Sequence, residues 1–205
     1  MATIYASATD GFVNKQDSDW VTARDATTGS SAQTSISGSS VAMQGTRAAA
    51  RGGGYNYRVA RTFMLFHTAG ISSNVASATL KIYGYGNNSA DVIAVKSTSD
   101  IGTITTADYD AITGWSTGSA NGSGAGDNES NVTKYSSEIT SWNTSDYNDI
   151  TLNCTALANM RDDYYIYVCI METVHDLRDI APTGTFINGC YFADNTGTSK
   201  DPYID

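Results

Sequence analysis

Large apolar side chains concentrate in residues 58–68, RVARTFMLFHT. Val59, Phe63 and Leu65 share one parity, while Met64 and Phe66 share the other. A strand sends successive side chains to opposite faces, and a strand apolar on both parities is covered on both sides. The stretch is therefore predicted to be a central strand of an all-β protein. Glycines at 52–54 and at 70 close it off and argue against a buried helix.

A second dense run, 164–172 (YYIYVCIME), reads as another central strand. Residues 77–85 (SATLKIYGY) alternate, with Leu80 and Ile82 facing in and Lys81, Tyr83 and Tyr85 facing out. With 91–97 (DVIAVKS), across the Asn87-Asn88-Ser89 turn, this segment reads as a hairpin. Further short strands are expected at 3–6, 20–24, 41–44, 132–135, 148–153, 188–193 and 201–205, with loops at 27–40, 48–54 and 175–184. Thr105, with Asp108 three residues later, predicts one or two helical turns in 104–112. Thr155 is expected to cap a second short helix ending near Arg161. The Gly/Ser-rich stretch 115–130 predicts a long mobile loop. Short strands punctuated by Gly, Asn and Asp turns make residues 1–205 a single jelly-roll β-sandwich of two antiparallel sheets.

Charge narrows the partners. The 205 residues hold 21 acidic and 12 basic side chains, a net charge of −9 that repels a phosphate backbone or an anionic membrane surface. Only 16% of residues are charged, so Ser, Thr, Asn and Gly fill the surface, as on extracellular β proteins. No run is long enough to span a bilayer, and the N-terminus lacks the basic and apolar regions of a secretory signal. The reading is a chain made in a cytoplasm and released by lysis, as virion proteins are. Cys154, Cys169 and Cys190 are an odd set without metal-binding spacing. They read as apolar thiols, with one disulfide between two of them left open.

Residues Arg61, Phe66, Ile71, Ala78, Thr79, Leu80 and Ile82 follow the pattern of an Arg-led strand, a Phe, and an A-T-L strand. In this the segment 61–83 resembles DNRLRE-type jelly-roll domains, which resemble certain polysaccharide-binding modules and the TGF-β propeptide fold. The closing Asp-Pro-Tyr-Ile at 201–204 is similar to that family's final strand. His67 stands where the family carries Asp. Over nearly the whole chain, the runs ATLKIYGYG, TTADYDAITGW and GTSKDPYID are similar to proteins of marine viral sequence. The resemblance implies a surface protein of a virus particle or an extracellular protein, with glycan binding as its activity.

The candidate chemistry is non-catalytic. No nucleophile motif such as GxSxG is present, His67 and His175 are far apart in sequence, and Glu172 reads as a hydrogen-bonded strand end. Asp162 and Asp163 have no evident place in a cleft. For glycan contact the candidates are Trp115, Tyr135, Trp142 and Tyr147, because aromatic rings stack on sugar CH faces while Asn and Asp bond hydroxyls. For assembly they are Tyr83, Tyr85 and Tyr203, tyrosine being enriched at interfaces, with the brief final strand open to completion by a partner. Asp10, Asp17 and Asp19, or Asp194 and Asp201, offer hard oxygen ligands without EF-hand spacing, so calcium stays open and no metal or cofactor is assigned. The expectation is a head decoration, fibre or tail appendage contacting copies of itself, other virion proteins and host glycan. The alternatives are a carbohydrate-binding module of an extracellular protein and a subunit of an extracellular filament.

Overall fold

The computed structural model describes residues 3–34, 36, 38–71, 75–98, 102–117, 126–194 and 196–205. Its strands are β1 (Ile4–Tyr5), β2 (Gly11–Asp17), β3 (Ser31–Thr34), β4 (Ser39–Ala49), β5 (Tyr55–His67), β6 (Thr79–Asn88), β7 (Val92–Lys96), β8 (Tyr147–Thr151), β9 (Tyr165–Glu172), β10 (Thr185–Tyr191) and β11 (Tyr203–Ile204). Two short helices, α1 (Trp20–Arg24) and α2 (Cys154–Asp162), a 3-10 turn at Thr106–Asp108 and a π-helical turn at Thr173–Leu177 complete it.

The central strand is where its pattern puts it. Ala60, Met64 and Phe66 enter one core and Val59 and Phe63 another, all fully buried. Along one edge β5 pairs first with β4 and then with β9, and along the other with β2. One layer is thus β3-β2-β5-β9-β7, and β4 leads through β10 and β6 into the other, where β8 and β11 flank β6. The inner core lies between the layers, with Phe12, Ile166, Val168, Val92 and Ala94 facing Leu80, Ile82, Ile150, Cys190 and Ile204. The architecture is an all-β sandwich.

A third, irregular layer covers the outer face of the β5 sheet. Trp20, Ile104, Tyr109, Ile112, Val132 and Leu177 pack there on Val13, Phe63, Ile93, Val95 and Met171. Polar bonds bind it as well. The Arg61 guanidinium, with no exposed surface, meets both Asp176 oxygens at 2.8 and 2.7 Å and donates to the carbonyls of Tyr109 at 2.7 Å and Arg24 at 3.1 Å. Glu172 ends β9 as a cap, its carboxylate accepting from the amides of Val174, His175 and Asp176.

Several local expectations are overturned. Residues 20–24 form α1, not a strand, because Asp19 accepts from the Thr22 amide at 2.8 Å and hydroxyl at 2.9 Å and caps the first turn. The 27–40 loop contains β3, a polar edge strand on β2, and β2 itself hides behind the polar Asn14 and Gln16. Segments 77–85 and 91–97 are no hairpin: β6 pairs with β8, β10 and β11, and β7 crosses to pair with β9. Residues 132–135 form turns tied by one bridge, Val95 to Lys134. Asn153, not Thr155, caps the second helix. The final strand has no open edge, since β11 pairs with both β1 and β6. Thr105 and Asp108 do form the expected capping box. The three cysteines are free thiols, Cys154 exposed and the other two buried. Of the stretch 115–130, residues 118–125 lie outside the described residues. No helix among the described residues is long and apolar enough to cross a membrane.

Asp176→Ala leaves the Arg61 charge buried without its counter-ion, and is expected to cost about 3–5 kcal/mol in urea unfolding. A loss below about 1 kcal/mol, as for an exposed pair, would show that the network carries little. The buried His175 ring gives a second test. Its Nδ1 bonds the Ile180 carbonyl, it packs on Phe186 at 4.3 Å, and burial holds it below the ordinary histidine range. With the folded value below the unfolded one, its contribution to stability is complete above about pH 6.5 and is lost as pH falls further. Thermal melts between about pH 7.5 and 5.5 should therefore fall more steeply for the wild type than for His175→Gln.

Candidate functional site

The outer face of the β6 sheet follows from the parity of one strand. Leu80 and Ile82 are fully buried, so Lys81, Tyr83 and Tyr85 point outward. Registration then brings like to like. Tyr147 of β8 lies opposite Tyr83 and Asp149 opposite Lys81; Tyr203 of β11 lies opposite Lys81 on the other side and Tyr5 of β1 opposite Tyr203. In β10, Cys190 pairs with Gly84, which sets Tyr191 beside the β6 tyrosines.

The result is an unbroken ladder of rings in the order Tyr5, Tyr203, Tyr147, Tyr83, Tyr191, Tyr85. Successive centroids are 5.7, 5.1, 5.1, 5.5 and 5.7 Å apart, and four of the five contacts are edge-to-face. Such pairs contribute about 0.5–1.5 kcal/mol each beyond their buried area, so the rings hold one another in place. Lys200 adds a cation 4.2 Å from the Tyr191 ring and 5.1 Å from that of Tyr83, and donates to the Tyr191 hydroxyl at 3.2 Å. The Tyr83 hydroxyl donates to the Ser145 carbonyl and that of Tyr147 to the Asp201 carbonyl. Burial, with Tyr203 and Asp201 nearby, pushes the Tyr147 phenol up to about 12, so it stays a donor at neutral pH.

Beside the ladder runs an open groove of about 720 Å³, walled by Trp142, Asn143, Asp146, Tyr147 and Tyr203, with Lys81 and Asp149 along it. Lys81 Nζ donates to both oxygens of Asp149 at 2.8 Å. The wall at 141–146 stands close because β6 carries Gly84 there: a Cβ would lie 1.8 Å from the Asn143 carbonyl oxygen. Asn148, turned inward, pins that wall by accepting from the Asn143 amide at 2.7 Å and donating to its carbonyl at 2.9 Å.

Of the residues singled out for glycan contact, Trp142 and Tyr147 meet in this groove and two others do not reach it. Tyr135 is 1% exposed and donates to Asn159 Oδ1 at 2.8 Å, so it belongs to the inner core. Trp115 lies under the other sheet's cover, with the Arg61 and Arg24 guanidinium groups 4.0 and 4.9 Å from its ring. Trp142 itself is 5% exposed and fixed by its indole N–H to the Gly189 carbonyl at 3.0 Å, so it offers an edge, not a stacking face. The assembly candidates Tyr83, Tyr85 and Tyr203 belong to the same ladder as Tyr147. The ladder's other members, Tyr5 and Tyr191, fell within the short strands expected at 3–6 and 188–193 without being assigned a face or a role. Lys81 was assigned to this face without a role, and Lys200 gave no signal.

Groups that could support catalysis are spread apart. His67 stacks on Tyr165 at one end of β9, whereas Glu172 ends the other. Desolvation raises Glu172 to about 7, although its oxygens are already committed to the π-turn amides. Asp162 is ion-paired with the neighbouring Arg161 in solvent. Among the described residues no group of three or more His, Cys, Asp or Glu side chains is arranged to hold a metal ion. No protein-family model matches the chain, and no curated protein matches it in sequence.

Proposed function

We propose that this chain is a non-catalytic binding protein on the outside of a virus particle, and that its tyrosine-lined groove contacts carbohydrate. One observation carries the binding reading: two members of the tyrosine ladder, Tyr147 and Tyr203, line a groove that also holds carboxylate, amide and ammonium groups. Aromatic edges and faces take the CH surfaces of a sugar ring, while Asp146, Asp149, Asn143 and Lys81 stand within the same groove to exchange hydrogen bonds with hydroxyls. The net charge of −9 favours a neutral glycan over a polyanionic one. The virion setting rests on the resemblance to DNRLRE-type domains and marine viral proteins and on the neutral polar surface.

On a glycan array, Tyr147→Ala and Tyr83→Ala should each lower signal about tenfold or more, the equivalent of about 1.4 kcal/mol. Trp115→Ala, if it folds, should leave the signal intact. A wild-type protein that binds no glycan on the array, or alanine variants that bind as well as wild type, would sink the carbohydrate reading. Mass spectrometry of purified particles tests the setting, which fails if the chain is absent from them.

A second reading uses the same face for contact between copies. It is favoured by the ends of the ladder, where Tyr5 and Tyr85 remain 44% and 42% exposed. Sedimentation of the purified chain decides it: oligomers that dissociate in Tyr85→Ser support it, and a monomer at high concentration rejects it.

A further inference from the structure

A second groove opens where one strand stops short of its neighbour. β7 ends at Lys96, opposite Val168 of β9, so among the described residues Tyr165 and Ile166 have β5 on one side and no strand on the other. The space beside them is an open groove of about 400 Å³. It shares no lining residue with the groove beside the tyrosine ladder.

Aromatic rings make one wall. Ile166 and Val168 are buried in the inner core, so Tyr165 and Tyr167 leave β9 on the opposite parity. His67, Tyr165 and Tyr167 form a row with ring centroids 5.0 and 6.1 Å apart. Tyr164, just before β9, lines the groove while 75% exposed, and Tyr165 while 42% exposed. The polar groups are gathered by one carboxamide. Asn159 of α2 accepts at Oδ1 from the Tyr135 hydroxyl at 2.8 Å and from Lys96 Nζ at 3.3 Å, and its Nδ2 donates to Asp163 Oδ2 at 3.2 Å. Tyr135, Lys96 and Asp163, anchored in this way from three parts of the chain, all line the groove. An ammonium carries three donors and a carboxylate two acceptor oxygens, so Lys96 and Asp163 keep hydrogen-bonding capacity beyond these bonds.

We infer that this groove is a second binding site, for one ring of a neutral saccharide. A purely apolar ligand would cover the ammonium and the carboxylate without giving them partners, which is costly. An anion would meet Asp163 and a cation Lys96, whereas a neutral ligand is repelled by neither. A sugar ring supplies CH faces for Tyr164 and Tyr165, and its hydroxyls both donate and accept. The Asn159 anchor holds the polar groups in place before the ligand arrives, so little freedom is lost on binding. The inference takes its ligand class from the reading of the ladder groove, but the two sites are separate and either can fail alone.

The test is nuclear magnetic resonance of the full ¹⁵N-labelled chain, titrated separately with glucose, galactose, mannose and N-acetylglucosamine. At least one sugar should give saturable shifts at the amides of 164–167, Thr98 and Thr113. Tyr164→Ala, a change at an exposed side chain that should fold, and Asp163→Ala should each weaken that binding at least about tenfold. Tyr83→Ala, in the ladder, should leave it unchanged. Should Asp163→Ala fail to fold, Tyr164→Ala still decides. The proposal falls if none of the four sugars shifts these amides, if Tyr164→Ala binds as tightly as wild type, or if glucuronate or glucosamine binds here more tightly than the neutral sugars. Shifts confined to 143–149 would reject this site and leave the ladder groove standing, and shifts confined to 164–167, Thr98 and Thr113 would do the reverse.

Discussion

A fully buried guanidinium sets the terms for one whole side of this molecule. Arg61 leaves β5 on the parity of Val59 and Phe63, toward the irregular covering layer. Taking such a charge out of water costs several kcal/mol unless every donor finds a partner. Burial pulls its proton affinity down, and the Asp176 carboxylate with Tyr109 and Cys169 nearby together pull it further up, so it stays charged. Its partners come from three places in the chain: the end of α1, the segment after the 3-10 turn, and the π-turn. Tyr109 and Trp115 lay their rings 4.2 and 4.0 Å from it. Each segment also buries an apolar side chain in this layer, Trp20, Tyr109 and Leu177. The shared cation fixes them together, because displacing any of them strands part of a buried charge.

That arrangement leaves the other side of the sandwich free for different work. Leu80 and Ile82 root β6 in the inner core. With those two side chains locked inward, Lys81, Tyr83 and Tyr85 have nowhere to point but out. β1, β8, β10 and β11 each add a tyrosine to this face, so the ladder follows from sheet pairing. A site carried on strands is more rigid than one carried on loops, and its rings enter binding with little conformational freedom left to lose.

The parity of β5 and β6 was readable in the sequence because those strands are long, with two-sided burial through the middle of β5 and alternating burial from Thr79 to Tyr85. The 3-10 turn was readable because Thr105 and Asp108 carry its cap in their own side chains. What escaped notice depends on partners distant in sequence. Nothing in SAQT marks β3 as a strand, since its only requirement is the edge of β2. The Asn87-Asn88-Ser89 turn looks like a hairpin, but β7, buried at four of its five residues, crosses to the doubly covered layer beside β9. For the candidate site, Tyr83, Tyr85, Tyr147 and Tyr203 were each identifiable, yet they read as two functions. Only the pairing of β6 with both β8 and β11 makes them one surface. Trp115 and Tyr135 misled because polar neighbours in sequence conceal burial supplied by another layer.

The Lys81–Asp149 pair bears on what such a surface is for. Its side chains keep 20% and 60% of their exposure, so Asp149 is solvated while the Lys81 stem lies along the sheet. A flat contact between copies would have to strip water from this pair, and a desolvated ion pair returns little of that cost unless its remaining donors and acceptors are met. A glycan lying along the groove imposes no such stripping. Its hydroxyls replace ordered water bond for bond against the carboxylate and the ammonium, while its CH faces cover the neighbouring rings. The charge pair among the tyrosines therefore weighs against a dry protein interface and toward a hydroxyl-rich ligand.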